Sequence, residues 1–188
     1  MDYESKIIVI EQALALVKSG DVIVTGLGAS EAGVFMSQLH TVAARGVKDV
    51  MVTNCLPTHE SKIYEEQYAD IFRVDGWFYA PVLRKAHKNG NMAFIPNHLH
   101  LAARKRLDHI LPNIYIGAAT MPDKHGYVSL SLSNTYEMRM IEKADLVILE
   151  INPNMPYTLG DVQLHVRDID YMIKVDYQPP VMPDAPFS

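Results

Sequence analysis

The chain has 188 residues, of which 48% are hydrophobic and 21% are charged. This composition is typical of one folded globular domain, and it argues against disordered, collagen-like and membrane-embedded classes. Seventeen Lys and Arg residues against 22 Asp and Glu residues give a formal charge of −5, so nucleic acid is not an expected partner. We also expect no membrane contact, because no segment approaches the roughly 18 apolar residues of a membrane span.

The cysteine content indicates the cellular compartment. Cys55 is the only cysteine, so the chain cannot form an internal disulfide or a multi-cysteine zinc site. Disulfide-free chains are typical of reducing compartments. We therefore expect a cytoplasmic location.

Five short aliphatic or β-branched runs, each bounded by turn residues, predict buried strands. They are residues 22–25, 50–53, 92–95, 114–116 and 146–149. Helical periodicity predicts a helix over residues 31–45, capped by Ser30 and ended by Gly46, and a second helix over about residues 135–143. Strands that alternate with helices predict an α/β fold with a mostly parallel sheet and helices on both faces.

Proline is concentrated at the end of the chain. Four of the 11 prolines fall in the last ten residues: Pro179, Pro180, Pro183 and Pro186. Neither a helix interior nor a central strand accommodates such a segment. We therefore expect an α/β domain over residues 1–176 and an interdomain linker over residues 177–188, with a frayed tail as the alternative.

Ligands of parallel sheets collect in the loops that follow the carboxyl ends of strands. The first such loop contains Gly26 and Gly28, followed by Ser30 and Glu31, and its backbone N–H groups could hold an anion or a developing oxyanion. A dinucleotide fingerprint needs a third glycine where Glu31 stands, so a nicotinamide or flavin site is not expected. Two glycines that serve only a tight turn are the alternative.

Three other groups of residues, which are histidines, basic residues and the cysteine, are weaker indications of a functional site. The pair His98 and His100 lacks helical i, i+4 spacing, and no Cys-x-x-Cys occurs, so no metal is expected. Residues 84–106 carry six basic residues and no acidic one, which would suit the phosphates of coenzyme A or a solvated helical face. Cys55 has no activating partner in the sequence, and no Gly-x-Ser-x-Gly elbow occurs, so no nucleophile is assigned.

One long segment has a recognisable pattern. Residues 149–161 (LEINPNMPYTLGD) are followed by residues 165–171 (HVRDIDY), and shorter supporting stretches include GWF at 76–78 and PDKHGYVS at 122–129. The chain resembles the acetyl-CoA hydrolase/transferase family, in particular the N-terminal domain of its 4-hydroxybutyrate and acetate CoA-transferases. The similarity runs from about Ala13 to Val175, which is nearly the whole chain.

The resemblance implies the first half of a two-domain enzyme whose active site lies between two related α/β halves. It implies a catalytic glutamate that attacks an acyl-CoA and becomes a glutamyl-CoA thioester, and it places that residue and most CoA contacts in the second half. Acyl-CoA and a short carboxylate of the acetate, butyrate or 4-hydroxybutyrate type would be substrates, with no tightly bound cofactor. The partner would be the chain's own C-terminal domain. A homodimer is a second possibility, in which two copies pair through a face that the missing domain leaves exposed.

For this half, the resemblance implies a role in shaping the substrate site and excluding water. The candidate substrate-binding residues lie in strand-end loops: Gly28, Ser30, Glu31, Asn97 and Asn152. We expect no catalytic residue in this chain, which alone should be inactive. A hydrolase of the same family and a non-catalytic CoA- or nucleotide-binding module are the alternatives.

Overall fold

The computed structural model describes residues 3–181 and contains nine strands in that range. They are β1 (Val22–Thr25), β2 (Val50–Asn54), β3 (Phe72–Gly76), β4 (Met92–Phe94), β5 (Ile114–Ala119), β6 (Tyr127–Ser129), β7 (Leu146–Ile151), β8 (Gln163–His165) and β9 (Tyr171–Lys174). Seven of them form one parallel sheet in the order β4-β3-β2-β1-β5-β7-β9, and β6 pairs with β8 in a separate antiparallel ribbon. The predicted α/β fold is confirmed.

Five α-helices flank the sheet: α1 (Ile10–Ala15), α2 (Gly33–Gln38), α3 (Pro81–Lys88), α4 (Ala102–Leu107) and α5 (Glu137–Ile141). The short 3₁₀ helices are Glu4–Lys6, Gly28–Ser30, Leu39–Arg45, Lys62–Tyr64, Glu66–Tyr68, Leu99–Leu101 and Val166–Asp168. The first three α-helices pack in one apolar core and the last two in another, so helices cover both faces of the sheet. Right-handed crossovers produce this division, because the chain reverses its direction across the sheet after β4.

The strand predictions are confirmed at all five positions, with small differences at the ends. The runs beginning at residues 50, 114 and 146 continue beyond their predicted ends, to Asn54, Ala119 and Ile151. β3 was not predicted, because Arg73 and Asp75 interrupt its apolar residues. Its pattern is an alternation over only five residues, which a search for continuous apolar runs does not detect.

The predicted helix over residues 31–45 is only partly right. α2 begins at Gly33, and after Gln38 the segment continues as a 3₁₀ helix to Arg45, where Gly46 ends it at a φ of 77° as predicted. The predicted cap by Ser30 is wrong: the Ser30 hydroxyl instead donates a hydrogen bond to the Leu130 carbonyl at 3.4 Å. The N–H groups at the start of α2 are bound by a distant carboxylate, that of Glu150.

The strand order creates a crevice. The chain runs outward from β1 through β4 and then returns to the other side of β1 with β5, so the loops after β1 and β5 diverge. Open α/β sheets bind ligands at such a switch point. A ligand-binding site of this chain is therefore expected at the carboxyl ends of β1, β5 and β7.

The segment after β9 remains against the body of the sheet. The hydroxyl of Tyr177 lies 3.0 Å from the Glu150 carboxylate, and residues 182–188, including Pro183 and Pro186, lie outside the described residues. The division into a domain over 1–176 and a linker over 177–188 stays a prediction. Within residues 3–181, no helix is both long enough and apolar enough to cross a membrane.

Candidate functional site

Three buried glutamates surround the switch point. Glu31 lies in the loop after β1, Glu150 lies near the end of β7, and Glu137 begins α5; all three are 0% exposed. A buried carboxylate is costly unless hydrogen bonds replace its hydration. The partners of each carboxylate therefore determine what it can do.

Glu31 joins the loop after β1 to the loop after β2. One carboxylate oxygen accepts from the Asn54 side-chain amide at 2.6 Å. The other accepts from the backbone N–H groups of Thr58 at 2.9 Å and His59 at 3.0 Å, and lies 3.1 Å from the His59 ring nitrogen Nδ1. The side chain thus points into the protein and fixes the second loop.

Glu137 plays the same role on the other face of the sheet. Its Oε1 accepts from the Leu27 N–H at 3.0 Å and the Ser133 hydroxyl at 2.7 Å. Its Oε2 accepts from the N–H groups of Thr135 at 2.6 Å and Tyr136 at 2.9 Å. This carboxylate therefore ties the start of α5 to the loop after β1.

Glu150 binds the start of α2 from β7. Its Oε1 accepts from the Phe35 N–H at 2.6 Å, and its Oε2 accepts from the Val34 N–H at 3.3 Å and the Tyr177 hydroxyl at 3.0 Å. Burial raises the pKa of Glu150 above its usual value, against the opposing effect of these hydrogen bonds. Because these three carboxylates are enclosed and hydrogen-bonded, they hold the loops and are not placed to attack a substrate.

The loop after β1 has the geometry of a tight turn. A Cβ atom on Gly26 would lie 2.1 Å from the Ser30 carbonyl oxygen, so that position requires glycine, and the φ of 58° at Gly28 favours glycine there. The N–H groups of Gly26, Leu27, Gly28, Ser30 and Glu31 all donate to protein acceptors. They are therefore not free to hold an anion, and the tight-turn interpretation is favoured.

The structure brings together four of the five candidate substrate-binding residues. Gly28, Ser30 and Glu31 lie in the loop after β1, and Asn152 follows β7. Tyr177 connects the two loops: its hydroxyl lies 3.4 Å from the Gly33 nitrogen, and its carbonyl accepts from the Asn152 amide at 2.9 Å. Substrate binding by these residues stays a prediction.

Asn97, the fifth candidate, lies apart from the other four. It follows β4 at the edge of the sheet, three strands away from β1. Neighbouring strands are spaced by about 4.8 Å, so these two strand ends are separated by roughly 14 Å. The five residues therefore do not line one pocket.

Several residues at the site were missed by the sequence analysis. Asn54 ends β2 and His59 lies in the loop that follows, which the strand-end rule selects, but no local pattern assigns them a role. They and Tyr177 reach the glutamates only through the tertiary fold. Glu137 had a usable signal, because Asn134 precedes it by three residues, which is the spacing of a capping box.

The basic window over residues 84–106 does not form one surface. Its two helices, α3 and α4, contribute to the two different apolar cores on opposite faces of the sheet. Lys85 lies 3.9 Å from Glu65, and Arg106 forms an ion pair with Asp75 at 2.8 Å. Within residues 3–181, no three His, Cys, Asp or Glu side chains come close enough to hold a metal ion.

Cys55 directly follows β2, packs in the same apolar core as α4 and α5, and is 0% exposed. Burial, together with the nearby charge of Glu137, raises its pKa to about 12. We expect native protein to give no reaction with a disulfide reagent at about pH 8, where the thiol stays protonated and enclosed. Unfolding in guanidinium should release one reactive thiol per chain in the same assay, and rapid labelling of folded protein would contradict this prediction.

Comparison with known proteins identifies the family. The family model described as the acetyl-CoA hydrolase/transferase N-terminal domain matches residues 1–183. The chain belongs to this family. The resemblance noted in the sequence is thereby confirmed over the whole region described by the structure.

Curated proteins that are similar to this chain include CoA transferases. The succinyl-CoA:cyclohexane-1-carboxylate CoA transferase of Geobacter metallireducens is 32% identical over 176 residues, which cover 93% of this chain and 40% of that protein. The 4-hydroxybutyrate coenzyme A transferase of Clostridium kluyveri is 35% identical over 120 residues, which cover 61% of this chain and 28% of that protein. This chain thus spans less than half the length of these relatives.

Solved structures of the same fold include RipA from Yersinia pestis. Its crystal structure aligns with a TM-score of 0.89 and 23% identity, over 99% of this chain and 46% of that chain. At this identity the likeness shows the fold alone. The seven-stranded sheet and its flanking helices of this chain thus align with less than half of the RipA chain.

Proposed function

We propose that this chain is the N-terminal domain of a CoA-transferase that moves CoA between a short acyl-CoA and a carboxylate. The match of the family domain to residues 1–183 carries this proposal. The relatives' names, which include 4-hydroxybutyrate and cyclohexane-1-carboxylate, support a small carboxylic acid as the acceptor. Acids of the acetate, butyrate or 4-hydroxybutyrate type are the proposed substrates, and CoA is a substrate that is not tightly bound.

The proposed reaction uses a nucleophilic glutamate from a second domain. Its carboxylate attacks the thioester carbonyl of the acyl-CoA and expels CoA thiolate, which gives an acyl-glutamyl anhydride. The thiolate then attacks the glutamyl carbonyl, which releases the acyl group as a free carboxylate and leaves a glutamyl-CoA thioester. The surroundings of the three buried glutamates in this chain support that division. Glu31, Glu137 and Glu150 are each enclosed and bound by several donors, whereas a nucleophile needs a free, accessible oxygen.

In this scheme, the present chain supplies a rigid wall for the substrate and keeps water away. Rigidity comes from the three carboxylates: Glu137 holds the loop after β1, Glu31 holds the loop after β2, and Glu150 holds the start of α2. A glutamyl-CoA thioester that is shielded from water passes its CoA to the incoming carboxylate, whereas one that is exposed to water is hydrolysed. Gly28, Ser30, Glu31 and Asn152 would act mainly by fixing the shape of this wall.

The decisive experiment compares the isolated chain with a chimera. The chain alone should transfer no CoA from acetyl-CoA to butyrate. A fusion to the part of the Geobacter relative beyond its matched segment should transfer CoA, and a trapped glutamyl thioester should map to that added part. Control reactions contain the added part alone. Turnover by the isolated chain, or a trapped adduct on Glu31, Glu137 or Glu150, would overturn the proposal.

Two alternatives have simple readouts in the same system. A hydrolase of this family would consume acetyl-CoA at the same rate with or without butyrate, whereas a transferase requires the carboxylate. A CoA-binding module would bind CoA as the isolated chain, with an affinity that falls as salt rises. Because α3 and α4 lie on opposite faces of the sheet, their basic residues do not form one surface for the phosphates of CoA. The CoA-binding module is therefore less well supported than the transferase.

Two further parts of the proposal concern assembly and location. We propose that the protein with both domains forms a homodimer. Light scattering on the active chimera should then give twice the mass of one chimera chain. The lone, buried Cys55 supports a cytoplasmic, reducing location.

A further inference from the structure

The chain that follows β9, residues 175–181, forms an exit segment that is held to the loop after β7. The backbone carbonyl of Tyr177 accepts hydrogen bonds from the side-chain amides of Asn152 at 2.9 Å and Asn154 at 3.1 Å. The Asn154 amide also donates to the carboxylate of Asp176 at 2.7 Å. Two asparagines of one loop therefore bind two consecutive residues of the exit segment.

The Tyr177 side chain reaches into the switch point. Its hydroxyl donates to the Glu150 carboxylate at 3.0 Å and accepts from the Gly33 N–H at 3.4 Å. Its ring packs edge to face against the His59 ring, with centroids 5.9 Å apart. These partners belong to β7, to the start of α2 and to the loop after β2, and β7 and β2 lie on opposite sides of β1. One side chain thus ties the exit segment to both sides of the switch point.

The same contacts indicate what Asn152 does. This residue is 0% exposed, and its Oδ1 accepts from the Asn154 N–H at 3.0 Å while its Nδ2 donates to the Tyr177 carbonyl. Both ends of the amide are therefore engaged inside the protein. Asn152 is better placed to hold the exit segment than to touch a substrate.

We propose that Tyr177 is a positioning residue, which Asn152 and Asn154 hold so that the chain leaves the switch point in one fixed direction. This inference rests on the proposed function, in which a second domain follows the exit segment and completes the site. The direction of exit then determines how closely that domain meets the loops after β1 and β7.

The chemical consequence concerns water. A second domain that is poorly placed would admit water to the glutamyl-CoA thioester. Water would attack the glutamyl carbonyl, which releases CoA and restores the free glutamate, so the thioester is hydrolysed before a carboxylate can accept the CoA. Loss of the contacts at Tyr177 should therefore shift the enzyme from transfer to hydrolysis.

Asn154→Asp breaks these contacts with little change in shape, at a residue that is only partly buried. It places a carboxylate oxygen against the Tyr177 carbonyl and the Asp176 carboxylate, so two attractive contacts become repulsive. Chymotrypsin can cleave after Tyr177 only when the ring leaves its site, so cleavage reports the released segment. Mass spectrometry of the 188-residue chain should show cleavage at this bond at least about tenfold faster in Asn154→Asp.

A rescue and a matched control make this result specific. Adding Asp176→Asn to Asn154→Asp restores a donor opposite the new carboxylate, so cleavage after Tyr177 should slow again. Asn113→Asp is the control, because Asn113 is also partly buried and its amide also donates to a carboxylate, that of Asp145, at 3.0 Å. This pair lies at the amino ends of β5 and β7, so the cleavage after Tyr177 should not change.

The functional readout is the ratio of hydrolysis to transfer in the chimera with the Geobacter relative. Loss of folded enzyme lowers both rates together and leaves this ratio unchanged, so a merely structural effect does not move it. Asn154→Asp should raise the ratio at least about fivefold, and adding Asp176→Asn should return it to within about twofold of the unmodified chimera. Asn113→Asp should leave it unchanged.

The outcomes separate this inference from the proposed function. An unmodified chimera that transfers no CoA would refute the proposed function and the effect on hydrolysis with it, while the cleavage rates still decide whether Asn154 holds Tyr177. In an active chimera, a ratio that Asn154→Asp leaves unchanged, or that Asn113→Asp raises equally, would overturn the inference alone. Equal cleavage after Tyr177 in Asn154→Asp and in the unmodified chain would also overturn it.

Discussion

Replacing Glu137 with alanine should lower the free energy of unfolding by about 3 to 5 kcal/mol. The substitution removes the acceptor for three backbone N–H groups, those of Leu27, Thr135 and Tyr136, and for the Ser133 hydroxyl. All of these donors lie around a side chain that is 0% exposed, so the substitution leaves them buried without their acceptor. A domain of ordinary stability has about 5 to 15 kcal/mol in total, so a large fraction would be lost.

Urea denaturation followed by circular dichroism measures this effect. Glu142→Ala is the matched control, because Glu142 is exposed and immediately follows the same helix; it should change the unfolding free energy by less than about 0.5 kcal/mol. Glu137→Gln should lie between the two, since its amide oxygen can still accept from Leu27 while its NH₂ group meets two backbone donors. Equal stability of Glu137→Ala and Glu142→Ala would show that Glu137 does not hold the loops.

The sheet could be predicted from sequence because its inner strands have a strong local signal. β1, β5 and β7 are buried on both faces, so their sequences are nearly continuous runs of apolar residues. β3 and β9 carry charged residues, such as Asp75 and Lys174, within their apolar pattern, so their signal is weaker. Because strands that alternate with helices are joined by right-handed crossovers, their order in the sequence predicts a parallel α/β sheet, which is the observed class of fold.

The start of α2 shows why the site was harder to predict. A local rule assigns the cap to Ser30, since serine is a good N-cap and stands directly before the periodic segment. The structure instead uses Glu150, which is more than 100 residues away in sequence, and leaves Ala32 at the cap position. No local pattern encodes a contact that depends on the order of strands in the sheet.

The same limit applies to the candidate substrate-binding residues. The rule that ligands gather at strand ends selects the loops after β1 and β7, where Glu31 and Asn152 lie and which Tyr177 connects. It selects Asn97 equally, because it cannot tell a strand beside the switch point from one at the edge of the sheet. Only the strand order separates Asn97 from the rest.

The stability of the protein should also depend on pH through Glu150. Burial raises the pKa of this carboxyl in the folded state above the usual 4.5. The folded protein therefore binds more protons than the unfolded chain in the pH range above 4.5 and up to the raised value. The contribution of Glu150 to stability is fully present below about pH 4.5 and is lost as pH rises through the folded-state pKa.

Glu150→Gln should remove this dependence, because the amide does not titrate. Its oxygen can accept from the Phe35 N–H, while its NH₂ group meets the Val34 N–H, so we expect a loss of about 1 to 2 kcal/mol at low pH. As pH rises, the wild-type protein loses stability and the variant does not, so the difference between them should shrink. Urea unfolding at a series of pH values measures both curves under identical conditions.

Tyr177→Phe separates the titration of Glu150 from that of other carboxyls. The Tyr177 hydroxyl donates to the Glu150 carboxylate and favours its charged form, so its removal should raise the pKa of Glu150 further. The pH-dependent loss of stability should then extend to higher pH in Tyr177→Phe than in the wild-type protein. In the double variant with Glu150→Gln, this extension should vanish. An extension that persists in the double variant would assign the titration to another group.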